Sequence, residues 1–375
     1  MENKSANVLT VTSYEVLGKL PDIFTTDSGE RLTDPQKWSE RRAEIYKTAV
    51  ELQYGTMPPE PEFLETEVLY KGKTSNTYKI TTGPRSRPVS FRMQFFHPNI
   101  EKCPVIVDGD GCFAYITHTD FISSATDNGI AWAFFDRTEL AHDIRGEGRR
   151  QGQLYDAYPE YTFGALGAWA WGYSRCVDAL LALGLIDPDM IVFSGHSRGG
   201  KTAMLAGVLD ERAAIVNPNN TNAGSCSCYR IHMTALNEKG EDKKSETLDD
   251  LLSRFDFWMG EGMAEYRHRE NELPFDCHFL KAMVAPRTLF ISEAVHDIWG
   301  NPIGSWQTTM AAKELYRFLG AENELYWYFR DGGHRHDVED VRMLVNLILH
   351  KKNGIPLSES FFRRPFEQRE LIFDK

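Results

Sequence analysis

The residues best suited to chemistry surround Ser197, in the segment GHSRGGK at positions 195–201. An apolar run of strand length (189–194) precedes this segment, and an alanine-containing run of helical character (202–209) follows it. Glycine-x-serine-x-glycine between a strand and a helix is the pattern of a nucleophile elbow, a tight turn that exposes the serine hydroxyl. The pattern predicts that Ser197 is a nucleophile and that the amide of Arg198 faces a developing oxyanion. A purely structural glycine turn is the alternative.

A serine nucleophile needs a base, and the sequence offers two histidines after its last predicted strand (325–329). His334 and His336 lie in the segment RDGGHRHD at positions 330–337. His334 is the first choice because it directly follows two glycines, which allow a loop to bend over the site. His336 is the second choice. The alternative is that both are exposed loop histidines.

The base in turn needs an acid to orient it. In an α/β-hydrolase the acid lies between the nucleophile and the base along the chain, at the end of a strand. Asp297 follows the predicted strand 287–292 and is therefore the expected acid. Glu293, on the same connection, is the other candidate carboxylate. Asp297 could instead cap the turn at 301–302.

Two cations lie beside the predicted nucleophile. Arg198 and Lys201 are about one helical turn apart at the start of the predicted helix. Such a pair favours a negatively charged transition state or an anionic substrate. The alternative is a surface arginine and lysine that pair with nearby acids.

The surrounding elements predict an α/β fold. From residue 104 onward, buried strands alternate with helices, which indicates a mostly parallel sheet covered by helices on both faces. A helix at 38–54 and apolar or alternating strands precede this part, the strands at 65–69, 77–81 and 89–96. We expect an α/β-hydrolase fold, a three-layer sandwich with a mostly parallel central sheet and an N-terminal extension. Residues 1–375 are expected to form a single catalytic domain, with 1–60 as the extension.

Three segments are expected to be irregular. Residues 1–20 are polar, and we expect them to be loosely attached. Residues 217–227 are rich in Asn, Gly, Ser and Thr and predict a loop, and the charged segment 238–246 predicts a solvated insertion.

Composition and charge exclude several classes of function. The formal net charge is −12 and no run of Lys and Arg occurs, so neither nucleic acid nor a membrane is an expected partner. No apolar run reaches membrane-spanning length. The six cysteines form no C-x-x-C pair, so we expect no metal site and free or buried thiols. Residues 1–12 lack a signal pattern, which fits a cytoplasmic protein or a mature secreted or periplasmic chain. The oligomeric state stays open.

Four stretches resemble the glucuronoyl esterases, carbohydrate esterase family fifteen, of the bacterial type. They are GHSRGGK (195–201), AWAWGYSRCVDAL (168–180), LPFDCHFLKAMVAPRTLFISEAVHDIWGNP (273–302) and the N-terminal segment 20–59. These α/β-hydrolases cleave esters between 4-O-methyl-glucuronic acid side chains of xylan and lignin alcohols. The resemblance therefore implies a glucuronate-ester or glucuronoxylan-derived substrate. It also implies a reaction that needs no metal or organic cofactor.

The resemblance implies catalytic roles for three residues. Ser197 matches the nucleophile of the family and Arg198 its oxyanion stabiliser. His334 matches the base, because its spacing to Asp340 agrees with the family pattern. A second oxyanion donor is expected from a backbone amide of the loop 108–112.

The resemblance also implies three sugar contacts. Lys201 matches a ligand of the uronate hydroxyls, and Trp299 matches the tryptophan that lines the sugar pocket. Glu246 matches a sugar-binding glutamate, in an alignment that crosses the charged insertion.

One position departs from the family. The family commonly keeps its triad glutamate in the loop after the strand that follows the elbow helix, and Asn220 stands there in this chain. Asparagine cannot stabilise an imidazolium by charge. Either Asp297 has taken over this role, or the protein is impaired.

Three functions follow in order of preference. The first is a serine esterase that hydrolyses esters of (4-O-methyl-)glucuronic acid, as in the lignin–carbohydrate linkages of glucuronoxylan. The second is a carbohydrate acetyl esterase, similar to acetyl xylan esterases, on the same fold. The third is a catalytically impaired carbohydrate-binding descendant, which Asn220 would explain.

Overall fold

The computed structural model describes residues 9–113 and 119–374, so residues 1–8 of the predicted loose N-terminus lie outside the described part. The strands are β1 (Val11–Val16), β2 (Phe63–Lys71), β3 (Ser75–Gly83), β4 (Val89–Phe96), β5 (Cys103–Asp108), β6 (Ala131–Phe135), β7 (Ile186–His196), β8 (Ala213–Asn219), β9 (Ile231–Leu236), β10 (Asp242–Lys244), β11 (Thr288–Ala294) and β12 (Leu325–Arg330). The helices are α1 (Trp38–Ile45), α2 (Leu52–Tyr54), α3 (Thr119–Thr126), α4 (Gln153–Ala157), α5 (Ala165–Ala182), α6 (Arg198–Leu209), α7 (Leu248–Phe255), α8 (His278–Val284), α9 (Pro302–Phe318) and α10 (Val338–Asn353).

A nine-stranded sheet forms the centre of the molecule, in the order β12-β11-β8-β7-β5-β6-β4-β3-β2. The strands from β12 to β6 in this order are all parallel to one another. The three strands β4, β3 and β2 continue the sheet in antiparallel fashion. The predicted mostly parallel sheet with an antiparallel start is confirmed. The carboxyl ends of β7, β11 and β12 therefore meet at one edge.

Helices cover both faces of this sheet. In β5, Val105 and Val107 belong to one hydrophobic cluster, whereas Ile106 belongs to another. The first cluster includes side chains of α5, α6 and α8, and the second includes those of α3 and α10. Because successive strand residues point to opposite faces, the two clusters define the predicted three layers. Each fully buried Val or Ile contributes roughly 1.5–3 kcal/mol to this arrangement.

The N-terminal residues and the charged insertion are more ordered than expected. β1 pairs with β9 in antiparallel fashion, and β10 pairs with the other side of β9, which gives a second sheet of three strands. The prediction of a loose segment 1–20 was therefore wrong for residues 9–20. The insertion 238–246 is exposed over residues 238–244, as predicted, but its last two residues are buried. The backbone groups of β1 are satisfied by partners more than 200 positions away, as in the pair Val16–Ile231, which local sequence patterns cannot reveal.

The predicted loop 217–227 is buried rather than exposed. Its first residues complete β8, and the side chains of Asn217 and Asn219 bond the neighbouring strand β11. Amide side chains can occupy an interior when their donors and acceptors are all paired. The polarity of this segment therefore serves internal hydrogen bonding.

The cysteines are all free, and all but Cys112 are buried. Across residues 9–113 and 119–374, no group of three or more His, Cys, Asp or Glu is arranged to hold a metal ion. Within the same ranges, no helix combines the length and the hydropathy that a membrane crossing requires.

Candidate active site

Ser197 lies at the turn between β7 and α6, in a strained backbone conformation. Its φ of 59° and ψ of −119° are uncommon for a residue with a side chain and are the mark of a sharp strand-to-helix turn. A Cβ atom at Gly195 would lie 2.5 Å from the carbonyl oxygen of Gly199, so a glycine is required there. The sequence therefore forms the elbow through glycines on both sides of the serine.

His334 follows β12 and reaches Ser197, and Asp297 follows β11 and reaches His334. Nε2 of His334 lies 2.9 Å from Oγ of Ser197, and Nδ1 lies 2.7 Å from Oδ2 of Asp297. Because an ionised carboxylate only accepts hydrogen bonds, Nδ1 carries the proton and Nε2 is free to accept from the hydroxyl. The arrangement can deprotonate the serine and stabilise the resulting imidazolium.

Asp297 also caps a turn, but not the one at 301–302 that was its alternative interpretation, where Asn301 is itself the cap. It precedes a short helical turn (Ile298–Gly300), and its Oδ1 accepts from the amide of Gly300 at 3.3 Å. Its side chain is only 4% exposed. The cap and the histidine contact use different oxygens, so the cap fixes the carboxylate for the histidine.

The other two candidates for base and acid lie elsewhere. His336 is buried behind the site, where its ring stacks on that of His196 at 5.2 Å and where burial holds its pKa well below the usual value. Glu293 is buried and accepts from the hydroxyl of Ser305 at 2.7 Å. Burial raises the pKa of Glu293 to about 8, so at neutral pH this carboxyl is mostly uncharged and cannot stabilise an imidazolium.

Asn220 is a structural link between two loops of the site. Its Oδ1 accepts from the amide of Ala294 at 2.7 Å, and its Nδ2 donates to the carbonyl of Arg335 at 3.3 Å. The side chain thus uses both a donor and an acceptor, which a carboxylate could not do. It ties the end of β11 to the loop that carries His334. The asparagine at this position is explained by that link.

Arg198 is held in place by an acid and two aromatic rings. Its Nη1 lies 2.9 Å from Oδ2 of Asp143, and its guanidinium lies 4.8 Å from the ring centroid of Trp258 and 5.2 Å from that of Phe255. Trp258 also donates its Nε1 to Asp143 at 2.9 Å. The arginine is only partly exposed, which argues against the alternative that Arg198 is a surface residue paired with a nearby acid. Sequence reasoning missed Asp143 and both rings, because no motif marks them.

Buried charges connect Arg198 with the elbow. Asp143 lies 3.7 Å from the guanidinium of Arg137, which is fully buried and also pairs with Asp110. Asp110 accepts from the amide of His196, the residue before the nucleophile, at 2.8 Å. Burial of such charges is tolerable only because each contacts an opposite charge or a polar group. The chain of contacts fixes the cation relative to the serine.

The loop 108–112 offers fewer free amides than expected. The amides of Gly109, Asp110 and Gly111 already donate to Tyr173, Asp108 and Phe135, respectively. Among the amides of residues 109–112, which could serve as the second donor to the oxyanion, only that of Cys112 has no hydrogen-bond partner among the described residues. The amide of Arg198, at the first position of α6, has no partner within the helix either.

Lys201 and Glu246 form a buried pair one helical turn beyond the nucleophile. Nζ of Lys201 lies 3.6 Å from Oε2 of Glu246 and donates to the carbonyl of Ala223. Burial lowers the pKa of the lysine and raises that of the glutamate. A separation of 3.6 Å is too long for a hydrogen bond, and Oε2 of Glu246 has no partner among the described residues. A ligand hydroxyl would satisfy it.

Trp299 connects this pair with the turn that follows Asp297. Its carbonyl accepts from the amide of Glu246 at 3.0 Å, and it lines a pocket of about 340 Å³ together with Asp297 and His334. The indole therefore offers an aromatic wall to a pocket that His334 also lines. The structure thus brings together all seven site residues predicted from the sequence, which are Ser197, Arg198, Lys201, Glu246, Asp297, Trp299 and His334.

Comparisons with known proteins agree with this geometry. A family model described as glucuronyl esterase of fungi matches residues 80–320. A 4-O-methyl-glucuronoyl methylesterase of Podospora anserina is 31% identical over 327 residues, covering 86% of this chain and 64% of that relative. The chain thus spans slightly less than two thirds of that protein.

Solved structures are similar over almost the whole chain. A carbohydrate esterase family 15 glucuronoyl esterase from Caldicellulosiruptor kristjansonii matches with a TM-score of 0.81 and 28% identity, over 94% of this chain and 95% of the other. A glucuronoyl esterase mutant from Sporotrichum thermophile, solved with methyl 4-O-methyl-β-D-glucopyranuronate, matches with a TM-score of 0.74 and 26% identity, over 95% and 92%.

Proposed function

The chain belongs to the glucuronoyl esterase family, and from this premise we propose that it is a serine esterase that hydrolyses esters of (4-O-methyl-)glucuronic acid. The bonds it would cleave are those of lignin–carbohydrate linkages in glucuronoxylan. The name of the Podospora relative and the ligand of the Sporotrichum complex support this substrate class. The observation that carries the proposal is the continuous hydrogen-bonded series Ser197, His334 and Asp297, with contacts of 2.9 and 2.7 Å.

In the first step, Nε2 of His334 takes the proton of the Ser197 hydroxyl as the oxygen attacks the ester carbonyl. The imidazolium that forms is stabilised by Asp297, whose second oxygen is held by the turn that follows it. The proton then passes to the alcohol oxygen, and the alcohol leaves. A water molecule, deprotonated by the same histidine, attacks the acyl-enzyme. The histidine then returns this proton to Oγ of Ser197 as the bond to the acyl carbon breaks, and the uronate is released.

Arg198 is the proposed stabiliser of the oxyanion in both steps. Its backbone amide lies at the N-terminus of α6, and its guanidinium adds a full positive charge nearby. The amide of Cys112 is the proposed second donor. Donors that are fixed before the reaction need no reorganisation when the charge develops, and Asp143 fixes the guanidinium.

Lys201, Glu246 and Trp299 are the proposed sugar contacts. Lys201 can donate to a ring hydroxyl, and Oε2 of Glu246 can accept from one, because the two side chains do not satisfy each other fully. The indole of Trp299 would pack against the apolar face of the sugar. Polar groups that are buried and left unpaired without substrate discriminate strongly against ligands that lack the matching hydroxyl.

Hydrolysis of benzyl glucuronate and methyl glucuronate by the parent and by Ser197→Ala tests the proposal. We expect turnover by the parent and a loss of several orders of magnitude in the variant. Equal rates for the two proteins would refute the assignment of the nucleophile. Acetylated xylan serves as the competing substrate, since faster release of acetate would favour the acetyl esterase. Failure of a fluorophosphonate to label Ser197 would favour the non-catalytic alternative.

A further inference from the structure

A second cleft, of about 800 Å³, lies at the end of the sheet opposite to Ser197. It is bounded by the turn between β2 and β3, by the connection from β4 to β5 and by the residues just before β7. β7 starts beside this cleft and ends at the elbow, and at about 3.3 Å per residue its length corresponds to roughly 30–35 Å. The cleft is therefore distinct from the catalytic pocket.

The walls of this cleft are strongly basic for a protein of net charge −12. Lys71, Lys73 and Lys102 line it, against a single carboxylate, Glu101. All three lysines are exposed, and in the described part of the chain none of them makes an ion pair or a side-chain hydrogen bond. Unpaired cations around a concave surface raise the local concentration of an anion.

A buried polar atom in the floor of the cleft lacks a partner. Asn76 is only 6% exposed, and its Nδ2 donates to the hydroxyl of Tyr78 at 3.1 Å. Its Oδ1 has no hydrogen-bond partner among the described residues. The register pairs Asn76 with Lys71 on one side and with Phe95 on the other, so the three share one face of the sheet. A ligand with a hydroxyl group beside its anionic group would satisfy both the acceptor and the lysine.

Apolar side chains continue the cleft outward. Ile100 is 56% exposed and lines the cleft together with Leu185. Tyr70 lies on the opposite face of the sheet, because it pairs with Thr77 whereas Lys71 pairs with Asn76. An exposed aliphatic side chain next to charged and hydroxyl-binding groups suits the apolar face of a pyranose ring.

We propose that this cleft is a second carbohydrate-binding site, which takes the unesterified uronate groups of an acidic polysaccharide. The lysines contact the uronate carboxylate, Oδ1 of Asn76 accepts from a sugar hydroxyl, and Ile100 packs against a ring. The proposal rests on the proposed function, because a substrate polymer with esterified uronates also carries free ones. The cleft would hold such a polymer while the catalytic pocket acts on a distant ester.

The test measures binding by titration calorimetry, with a xylo-oligosaccharide that carries one free 4-O-methylglucuronate as the probe. A neutral xylo-oligosaccharide of the same length is the comparison ligand. The test variant is Lys71→Gln/Lys73→Gln/Lys102→Gln. The matched control, Lys19→Gln/Lys37→Gln/Lys47→Gln, removes the same charge from exposed positions outside the cleft. Asn76→Ala is measured as a second, uncharged test.

We expect the cleft variant to bind the acidic probe roughly tenfold more weakly, because its single carboxylate loses all three of its exposed cationic partners, each of modest strength. The control should bind like the parent, and Asn76→Ala should weaken both sugars. On glucuronoxylan the cleft variant should show a higher KM with unchanged kcat, and its rate on benzyl glucuronate should not change.

An unchanged affinity in the cleft variant, or an equal loss in the control, would overturn the proposal. So would lysine-dependent binding to vesicles containing anionic lipid without binding of the acidic sugar, since this would assign the cleft to a membrane surface. Because the probe contains no ester, its binding to the cleft can be measured whether or not the parent hydrolyses benzyl glucuronate. A parent that fails to hydrolyse benzyl glucuronate would refute the proposed function and not the binding site.

Discussion

The identity of the catalytic acid gives the sharpest prediction, because the chain offers one carboxylate near the end of β11, another just after it, and an asparagine at the family position. Asp297→Asn keeps the shape of the side chain and removes its charge. Its amide can also donate to Nδ1 of His334, which would favour the tautomer that cannot accept the serine proton. Glu293→Gln is the matched control, since Glu293 lies near the end of β11, just before the connection that carries Asp297, and its burial raises its pKa to about 8.

The magnitude follows from the contact between Asp297 and His334. The nitrogen and oxygen are 2.7 Å apart, and charge centres about 4 Å apart at an effective dielectric constant of about 20 attract by about 4 kcal/mol. That corresponds to about 10³-fold in rate. The tautomer effect adds to this, and comparable changes in serine triads cost about 10⁴-fold in kcat. We therefore expect Asp297→Asn to lower kcat between about 10³-fold and 10⁴-fold.

The assay is steady-state hydrolysis of benzyl glucuronate near neutral pH, with folding checked by circular dichroism. Glu293→Gln should stay within a few-fold of the parent, because glutamine keeps a partner for Ser305 and replaces a carboxyl that is mostly neutral. A loss of less than tenfold in Asp297→Asn would refute the reasoning. So would a loss in Glu293→Gln as large as that in Asp297→Asn.

The remaining predictions concern positioning, substrate contacts and stability. Asp143→Ala should lower kcat about tenfold with little change in KM, because Arg198 loses its anchor but keeps its charge; an equal change in both parameters would contradict this. Lys201→Gln should lower kcat/KM for glucuronate esters about 10-fold to 100-fold and leave simple acetyl esters unaffected, which parallel assays would reveal. Asn220→Asp should cost about 1–3 kcal/mol in urea unfolding, because a carboxylate would face a backbone carbonyl; unaltered stability would count against the proposed link. The folded pKa of Glu293 lies above its usual value of 4.5, so its contribution to stability is complete below about pH 4.5 and is lost as the pH rises through about 8. The free energy of unfolding should therefore fall over this range, and Glu293→Gln should flatten that dependence.

Local patterns were sufficient for the central sheet and the elbow. An apolar run marks the strand before Ser197, and glycines mark the turn into the helix after it. All of these signals lie within a few residues of Ser197. His334 could also be predicted, because in this fold the loop after the last strand lies next to the nucleophile. The prediction of a single domain with an extension over residues 1–60 stays a prediction.

Contacts between distant segments were beyond such patterns. The partner of β1 is β9, and no spacing in either strand indicates the other. Asp143 belongs to a connection without a motif, yet it positions Arg198. The link made by Asn220 is equally invisible, because it depends on a donor and an acceptor that come from two different loops.

The three-stranded sheet also contributes to the pocket that His334 lines. β10 and the turn before it supply Lys239, Lys243 and Lys244 to this pocket, and β1 pairs with the far side of β9. The first described strand therefore supports one wall of the pocket. Substitutions in β1 would then alter the position of that wall while the contacts among Ser197, His334 and Asp297 stay intact.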